Sequence, residues 1–275
     1  MTSRAEGSIH WDIGAAESYG AYLGLDRLLA AQHPRSDEHD EMLFIVIHQA
    51  SELWMKLLIH ELTAALDGIR ADRLALPLKV FARIGRIQMQ LIQSWDVLST
   101  LTPHDYSRLR PHLGQSSGFQ SYQYRRLEFM LGNKDAALIQ VHRRDPAQFE
   151  LLSATLHAPS LYDETLRLLA RRGIAVPPET LERDWSAPYT AHPGVEAAWL
   201  AVYRDVDLHW DLYDLGEKLV DLEDRFQQWR FRHLTTVERI IGMKGGTGGS
   251  SGVPFLARAL QQRFFPELWS LRTLL

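Results

Sequence analysis

The chain has 275 residues, of which 45% are apolar and eight are tryptophan, enough to bury a sizeable core. A formal net charge of −4 supplies no global basic field, which argues against nucleic acid as the main partner and points to a small molecule. The absence of cysteine excludes disulfides, thiolate nucleophiles, Cys-ligated zinc or iron–sulfur centres and Cys-x-x-Cys-His haem attachment, so any metal must use His, Asp, Glu or a cofactor with its own ligands.

The first residues, MTSRAEGSIHWDIG, lack the charged start and apolar run of a secretory signal, and no stretch of about 18 uncharged apolar residues occurs, so a cytoplasmic protein with no membrane partner is expected. Apolar residues recur with a period of 3.6 at 16–31 and most clearly at 41–66, where Leu43, Val46, Ile47, Ala50, Leu53, Trp54, Leu57, Leu58 and Leu62 form one stripe. Phe44, His48, Ser51 and Met55 fall in a second sector flanking it. A core or interface histidine with satisfied ring nitrogens explains His48 as well as a ligand pocket walled by Phe44 does, and from this helix alone the plainer reading is the stronger. His60 and Glu61 open like the zinc motif HExxH, but position 64 is Ala, which ends that reading.

Further helices are predicted at 77–100, with Pro77 in the first turn, and at 117–131 and 159–171. Between the first two lies TPHDYSRLRPHLGQSSGFQ, where Tyr106 and Arg110 stand four apart on one face of a short helix. Arg110 offers a planar fork suited to a carboxylate, although a surface ion pair serves that spacing equally. Residues 172–194 carry Pro177, Pro178, Pro188 and Pro193 around Trp185 and Tyr189, and read as an irregular crossover that packs, not as a domain boundary. Helices at 195–214 and 216–241 follow. In the second, His233 stands on the core-facing stripe with Leu222, Phe226, Trp229, Val237 and Ile240, where a metal or haem iron, a carbonyl or a water would satisfy its ring.

Gly242 is expected to end that helix in a positive-φ conformation, and the Gly-rich stretch 242–253 reads as a mobile loop carrying one useful hydroxyl, Thr247; it lacks the order of a phosphate loop. Di-iron chemistry is disfavoured, since none of the twelve histidines has Asp or Glu three residues before it. Alternating β-branched runs are nearly absent, so the expected fold is all-α: a single domain over 1–275 whose long amphipathic helices enclose a pocket.

The blocks YGAYLGLDRLL, DEMLFIVIHQASELWMKLLIHEL, HLGQSSGFQSYQYRRLEFMLGNK and WRFRHLTTVERIIGMKGGTGGSSG, in this order over about residues 17–255, resemble the haem-dependent tryptophan 2,3-dioxygenase family. The resemblance implies an all-helical homotetramer with non-covalent haem b that uses O2 to convert L-tryptophan to N-formyl-L-kynurenine, the first step of tryptophan catabolism by the kynurenine route. It implies His233 as the axial haem ligand and His48 as the distal histidine that accepts a hydrogen bond from the indole N–H. Phe44 then walls the indole pocket, Arg110 and Tyr106 meet the substrate carboxylate, and Thr247 holds the amino-acid end as its loop closes. Trp95, Ser117 and Gly118 line the haem, while Tyr19, Tyr22 and Leu23, within an N-terminal segment 1–30, reach a neighbouring subunit's site. Indoleamine 2,3-dioxygenase-like enzymes lack a histidine at the His48 position, which favours the tryptophan-specific family. A haem-binding sensor or carrier without turnover is the rival reading, and the amino-acid-binding set argues against it.

Overall fold

The structure, a computed structural model, describes residues 18–275. Among these residues there is no strand, and every regular element is a helix. Three long helices make the frame: α3 (Asp40–Arg70), α4 (Ala75–Leu98) and α11 (Trp210–Ile241), with α4 packed against both of the others. The core between them is built from Leu58, Leu62, Ala65 and Ile69 of α3, Ile84, Ile87 and Leu91 of α4, and Leu215, Leu219, Leu222 and Phe226 of α11. These spacings of three and four keep one face of each helix in contact over its length.

Helix α3 is long and apolar enough, by length and composition, to cross a membrane. Its Leu58, Leu62, Ala65 and Ile69 enter the core, while Met42, Val46, Leu53 and Leu57 remain exposed.

The remaining helices are α1 (Tyr19–Leu23), α2 (Leu25–Leu29), α5 (Pro103–Leu113), α6 (Tyr122–Leu131), α7 (Pro146–His157), α8 (Leu161–Arg171), α9 (Pro178–Leu181), α10 (Pro193–Arg204), α12 (Val253–Leu260) and α13 (Pro266–Ser270). Several start on a side-chain cap followed by proline: Thr102 then Pro103, Asp145 then Pro146, His192 then Pro193. Ser160 and Asp163 form a capping box on α8.

Three boundaries depart from the expected ones. The helix expected over 16–31 is divided at Gly24, whose φ of 61° ends α1 and begins α2; positions 16 and 17 lie outside the described residues. The break expected at residue 215 lies at 205–209, and Gly216 is inside α11. A Cβ on Gly216 would stand 3.0 Å from Tyr203 Oη and 3.1 Å from Trp199 Cζ3, so this glycine lets α10 approach the α11 backbone closely. Helix α6 starts at Tyr122, after a 3-10 turn over Gly118–Gln120. The sequence reading also missed α7, α12 and α13, whose short apolar segments make no long stripe.

The proline-rich crossover packs as expected. Tyr189 Oη donates to Glu267 at 2.6 Å, the His192 N–H donates to the same carboxylate at 2.8 Å, and Tyr162 Oη donates to its other oxygen at 2.8 Å. Gly242 has a φ of 61° and a ψ of −141°, a backbone conformation open to glycine, and turns the chain from α11 into the Gly-rich loop.

Candidate active site

A cavity of about 460 Å3 lies between α3, α4, α5, α6, α11 and α12, with the Gly-rich loop along one side. This is the size range of small-molecule and cofactor sites. Phe44, His48, Trp95, Tyr106, Ser117, Gly118, His233 and Thr247, all singled out from the sequence, line it. A Cβ on Gly118 would meet nothing within 4 Å, so the space beside that backbone is open.

The two histidines are differentiated by their surroundings. His48 Nδ1 is 2.7 Å from the Phe44 carbonyl oxygen one helical turn back. A carbonyl only accepts, so Nδ1 carries the proton. Burial pushes the His48 pKa down, against the Phe44 hydrogen bond and the charge of Glu52, and the neutral ring therefore leaves Nε2 with a free lone pair. The Phe44 ring lies 4.2 Å from the imidazole, centroid to centroid.

His233 is shielded from bulk water but open to the cavity. Burial, with a smaller contribution from His48, pushes its pKa down to about 4, so this ring too is neutral near pH 7. Trp95 stacks on it at 4.5 Å with 12° between the ring planes, and Trp229 leans on it at 5.4 Å. The stacking fixes the plane in which the imidazole offers a lone pair. Among the described residues no three His, Asp or Glu side chains come together to hold a bare metal ion, so a metal at His233 requires a cofactor that brings its own ligands.

On the loop side, Arg110 Nη2 donates to the Gly245 carbonyl at 2.7 Å, and Thr247 Oγ1 donates to the Ser116 carbonyl at 2.5 Å. These two bonds seat the Gly-rich loop against α5 and the segment that follows it. The other terminal nitrogen of Arg110, Nη1, is buried without a partner. An unpartnered buried guanidinium nitrogen is costly and is a ready receptor for an anionic group. Tyr106, one turn earlier, has its phenol pKa raised by burial, against the charge of Arg110, and stays protonated as a donor.

Tyr19, Tyr22 and Leu23 are not brought to this cavity. They lie on α1, with Tyr19 73% and Tyr22 87% exposed.

The sequence reading missed a buried charged cluster in the wall. Arg125 and Glu128 of α6 pair with each other, Arg230 Nη2 of α11 donates to Glu128 at 2.8 Å, and all three side chains are at most 4% exposed. Arg230 is therefore internal, whereas Arg232, which pairs with Asp96, is half-buried. An Arg and a Glu three apart on a helix resemble a surface pair; only the tertiary contacts of α6, Arg230 of α11 among them, make this one internal.

The family model of tryptophan 2,3-dioxygenase matches residues 4–157 and 155–275. Tryptophan 2,3-dioxygenase 1 of Ralstonia nicotianae is 59% identical over 95% of this chain and 89% of its own length. The tryptophan 2,3-dioxygenase of Burkholderia cenocepacia is 60% identical over 96% of this chain and 85% of its own, and that of Cupriavidus necator is 57% identical over 95% and 89%.

Proposed function

The chain belongs to the tryptophan 2,3-dioxygenase family, and we propose that it inserts both atoms of O2 across the indole C2–C3 bond of L-tryptophan to give N-formyl-L-kynurenine, with haem b held in the cavity by His233. The observation that carries this reading is the complementary state of the two imidazoles. Both are neutral, and one is aimed by a stacked tryptophan while the other has its Nδ1 proton committed to a carbonyl.

The residues fit the cofactor. His233 would hold the iron through a neutral imidazole nitrogen, Trp95 Nε1 is buried without a partner beside it, and the wall carries Arg125, whose Nε is also buried and unpartnered. Haem when bound supplies the oxygen chemistry, and the protein's task is placement. His48 Nε2 accepts the indole N–H and fixes the ring in its plane against Phe44. Its role is orienting, because a neutral imidazole is too weak a base to deprotonate an indole nitrogen. Arg110 receives the substrate carboxylate on Nη1, Tyr106 adds a neutral donor beside it, and Thr247 turns its hydroxyl from the Ser116 carbonyl to the amino-acid end. Gly118, with open space beside its backbone, and Ser117 in the same lining would face the cofactor. Holding both ends of the amino acid converts the encounter with oxygen into a near-unimolecular step and keeps bulk water out.

The exposed apolar residues Tyr19, Tyr22 and Leu23, with Met42, Val46, Leu53 and Leu57 of α3, support a homo-oligomer, taken as a tetramer in which α1 completes a neighbour's site. The lack of cysteine is compatible with a cytoplasmic setting.

The test is reconstitution with haemin, reduction, anaerobic addition of tryptophan, then air, with the formylkynurenine absorbance followed in time. Product formation with a Soret band supports the assignment. A Soret band without product makes the protein a haem sensor or carrier, and no Soret band leaves both histidines structural.

A further inference from the structure

We propose that Glu128 is a positioning residue of the haem site: it locks Arg125 to the helix that carries His233, so that the acidic edge of the cofactor and its iron are held by one rigid frame. This rests on the haem reading above.

Glu128 is 3% exposed, yet it collects four donors. Tyr124 Oη donates to Oε1 at 3.0 Å, Asn133 Nδ2 at 3.1 Å and Arg230 Nη2 at 2.8 Å, while Arg125 Nη1 donates to Oε2. Three donors share Oε1 and one takes Oε2, so the carboxylate is held through both oxygens and cannot turn without breaking these bonds. Arg230 is fixed as firmly: Nη1 donates to the Ala259 carbonyl at 2.9 Å, and its guanidinium lies over the rings of Phe226 at 4.8 Å and Phe264 at 5.1 Å. Arg230 stands one turn before His233 on α11. The chain of contacts from His233 along α11 to Arg230, Glu128 and Arg125 therefore contains no flexible joint.

The charges in this wall do not balance. Two guanidiniums and one carboxylate leave one positive charge among groups at most 4% exposed. Both Arg125 Nε and Arg230 Nε are buried without a partner. Buried charge requires a counter-charge, and an N–H without an acceptor costs the desolvation it cannot recover. Both terminal nitrogens of Arg230 have partners, whereas Arg125 is bound through Nη1 alone, so the group with a terminal nitrogen left for an anion is Arg125, whose guanidinium lies 5.6 Å from the Phe119 ring in the cavity lining. A carboxylate on the cofactor, such as a haem propionate, supplies the missing charge. Glu128 reduces the repulsion between the two arginines to a level the cavity can hold and sets the direction in which Arg125 points.

The experiment follows the transfer of haemin from the reconstituted protein to excess apomyoglobin, for wild type, Arg125→Met, Glu128→Gln and the double variant. Circular dichroism and thermal midpoints of the haem-free proteins score folding separately. Losing the charge-assisted contact should speed haemin release about tenfold or more in each single variant. The double variant should then stay within about threefold of Arg125→Met, because Glu128 acts through Arg125. Independent structural roles would multiply instead, to about a hundredfold, and overturn the proposal. If Glu128→Gln does not fold, Arg230→Lys breaks the same frame more gently and should speed release; release at the wild-type rate overturns the proposal. A wild-type protein that takes up no haemin overturns the haem reading, and this inference with it. Haemin held by wild type and by Glu128→Gln alike overturns the role of Glu128 alone.

Discussion

Replacing Gly248 with alanine tests whether the Gly-rich loop works in the seated position. A Cβ there would stand 2.6 Å from Ser117 Cβ and 2.9 Å from Ser117 Oγ, against an ordinary carbon–carbon contact of about 3.5–4.0 Å. The φ of Gly248 is not in the left-handed region, so alanine adopts the backbone without strain and the perturbation is purely steric. To relieve the overlap the loop must retreat by about 1 Å, the shortfall from normal contact. That stretches the Thr247–Ser116 bond of 2.5 Å and the Arg110–Gly245 bond of 2.7 Å on either side. Overpacking of this kind costs about 1–3 kcal/mol. If the loop seats on the amino-acid end of the substrate, kcat/KM for tryptophan falls by about 5- to 150-fold. The thermal midpoint should fall by no more than about 10 °C, since about 1–3 kcal/mol corresponds to roughly 2–4 °C per kcal/mol in a chain of this size, and the protein stays folded at assay temperature. Steady-state product absorbance and a thermal melt measure the two quantities. Adding Ser117→Gly removes the colliding atoms and should recover part of the loss. An alanine variant within twofold of wild type would refute the reasoning.

Arg110→Ala should weaken tryptophan by about 10- to 150-fold, the value of a charge-assisted contact, and hardly affect indoles without a carboxylate; equal losses in titrations of both would contradict a carboxylate role. His233→Ala should lose its Soret band on gel filtration after haemin loading, and a variant that keeps a full band places the axial ligand elsewhere. The pH profile of tryptophan affinity should have its acid limb below about 6.5, because burial holds the His48 pKa under its ordinary value and the indole acceptor is lost only as pH falls through that lowered value. The unfolded chain then takes up its proton first, so this group also makes stability fall as pH drops below about 6.5, and an acid limb above that value would contradict a neutral His48. Lys134, 1% exposed, donates from Nζ to the carbonyls of Thr155, Leu156 and Ala158 at 2.7, 3.1 and 2.8 Å, so Lys134→Met should cost about 2–4 kcal/mol in urea unfolding and leave activity per folded molecule unchanged.

Periodicity alone determined the helical class, the three long helices and the helix bearing each histidine, because burying one face of a helix imposes a 3.6-residue repeat over many turns. The matched blocks added the candidate set, of which His48, His233, Phe44, Tyr106 and Thr247 line one cavity. Helix α12 escaped because two turns carry too few apolar residues to declare a face, and α7, though twelve residues long, because only Leu152 and Leu156 of it are buried. The break near residue 205 escaped because Gly216 resembles a helix end until Trp199 and Tyr203 are seen against its backbone. The state of His48 needed a distance to the Phe44 carbonyl, and the neutrality of His233 needed the aromatic wall around it. Least legible were Arg125, Glu128 and Arg230, spaced like ordinary surface charges. Charge carries no periodic signature of burial, so only the tertiary contact between α6 and α11 shows that two arginines and one glutamate share one buried wall with an excess of one positive charge.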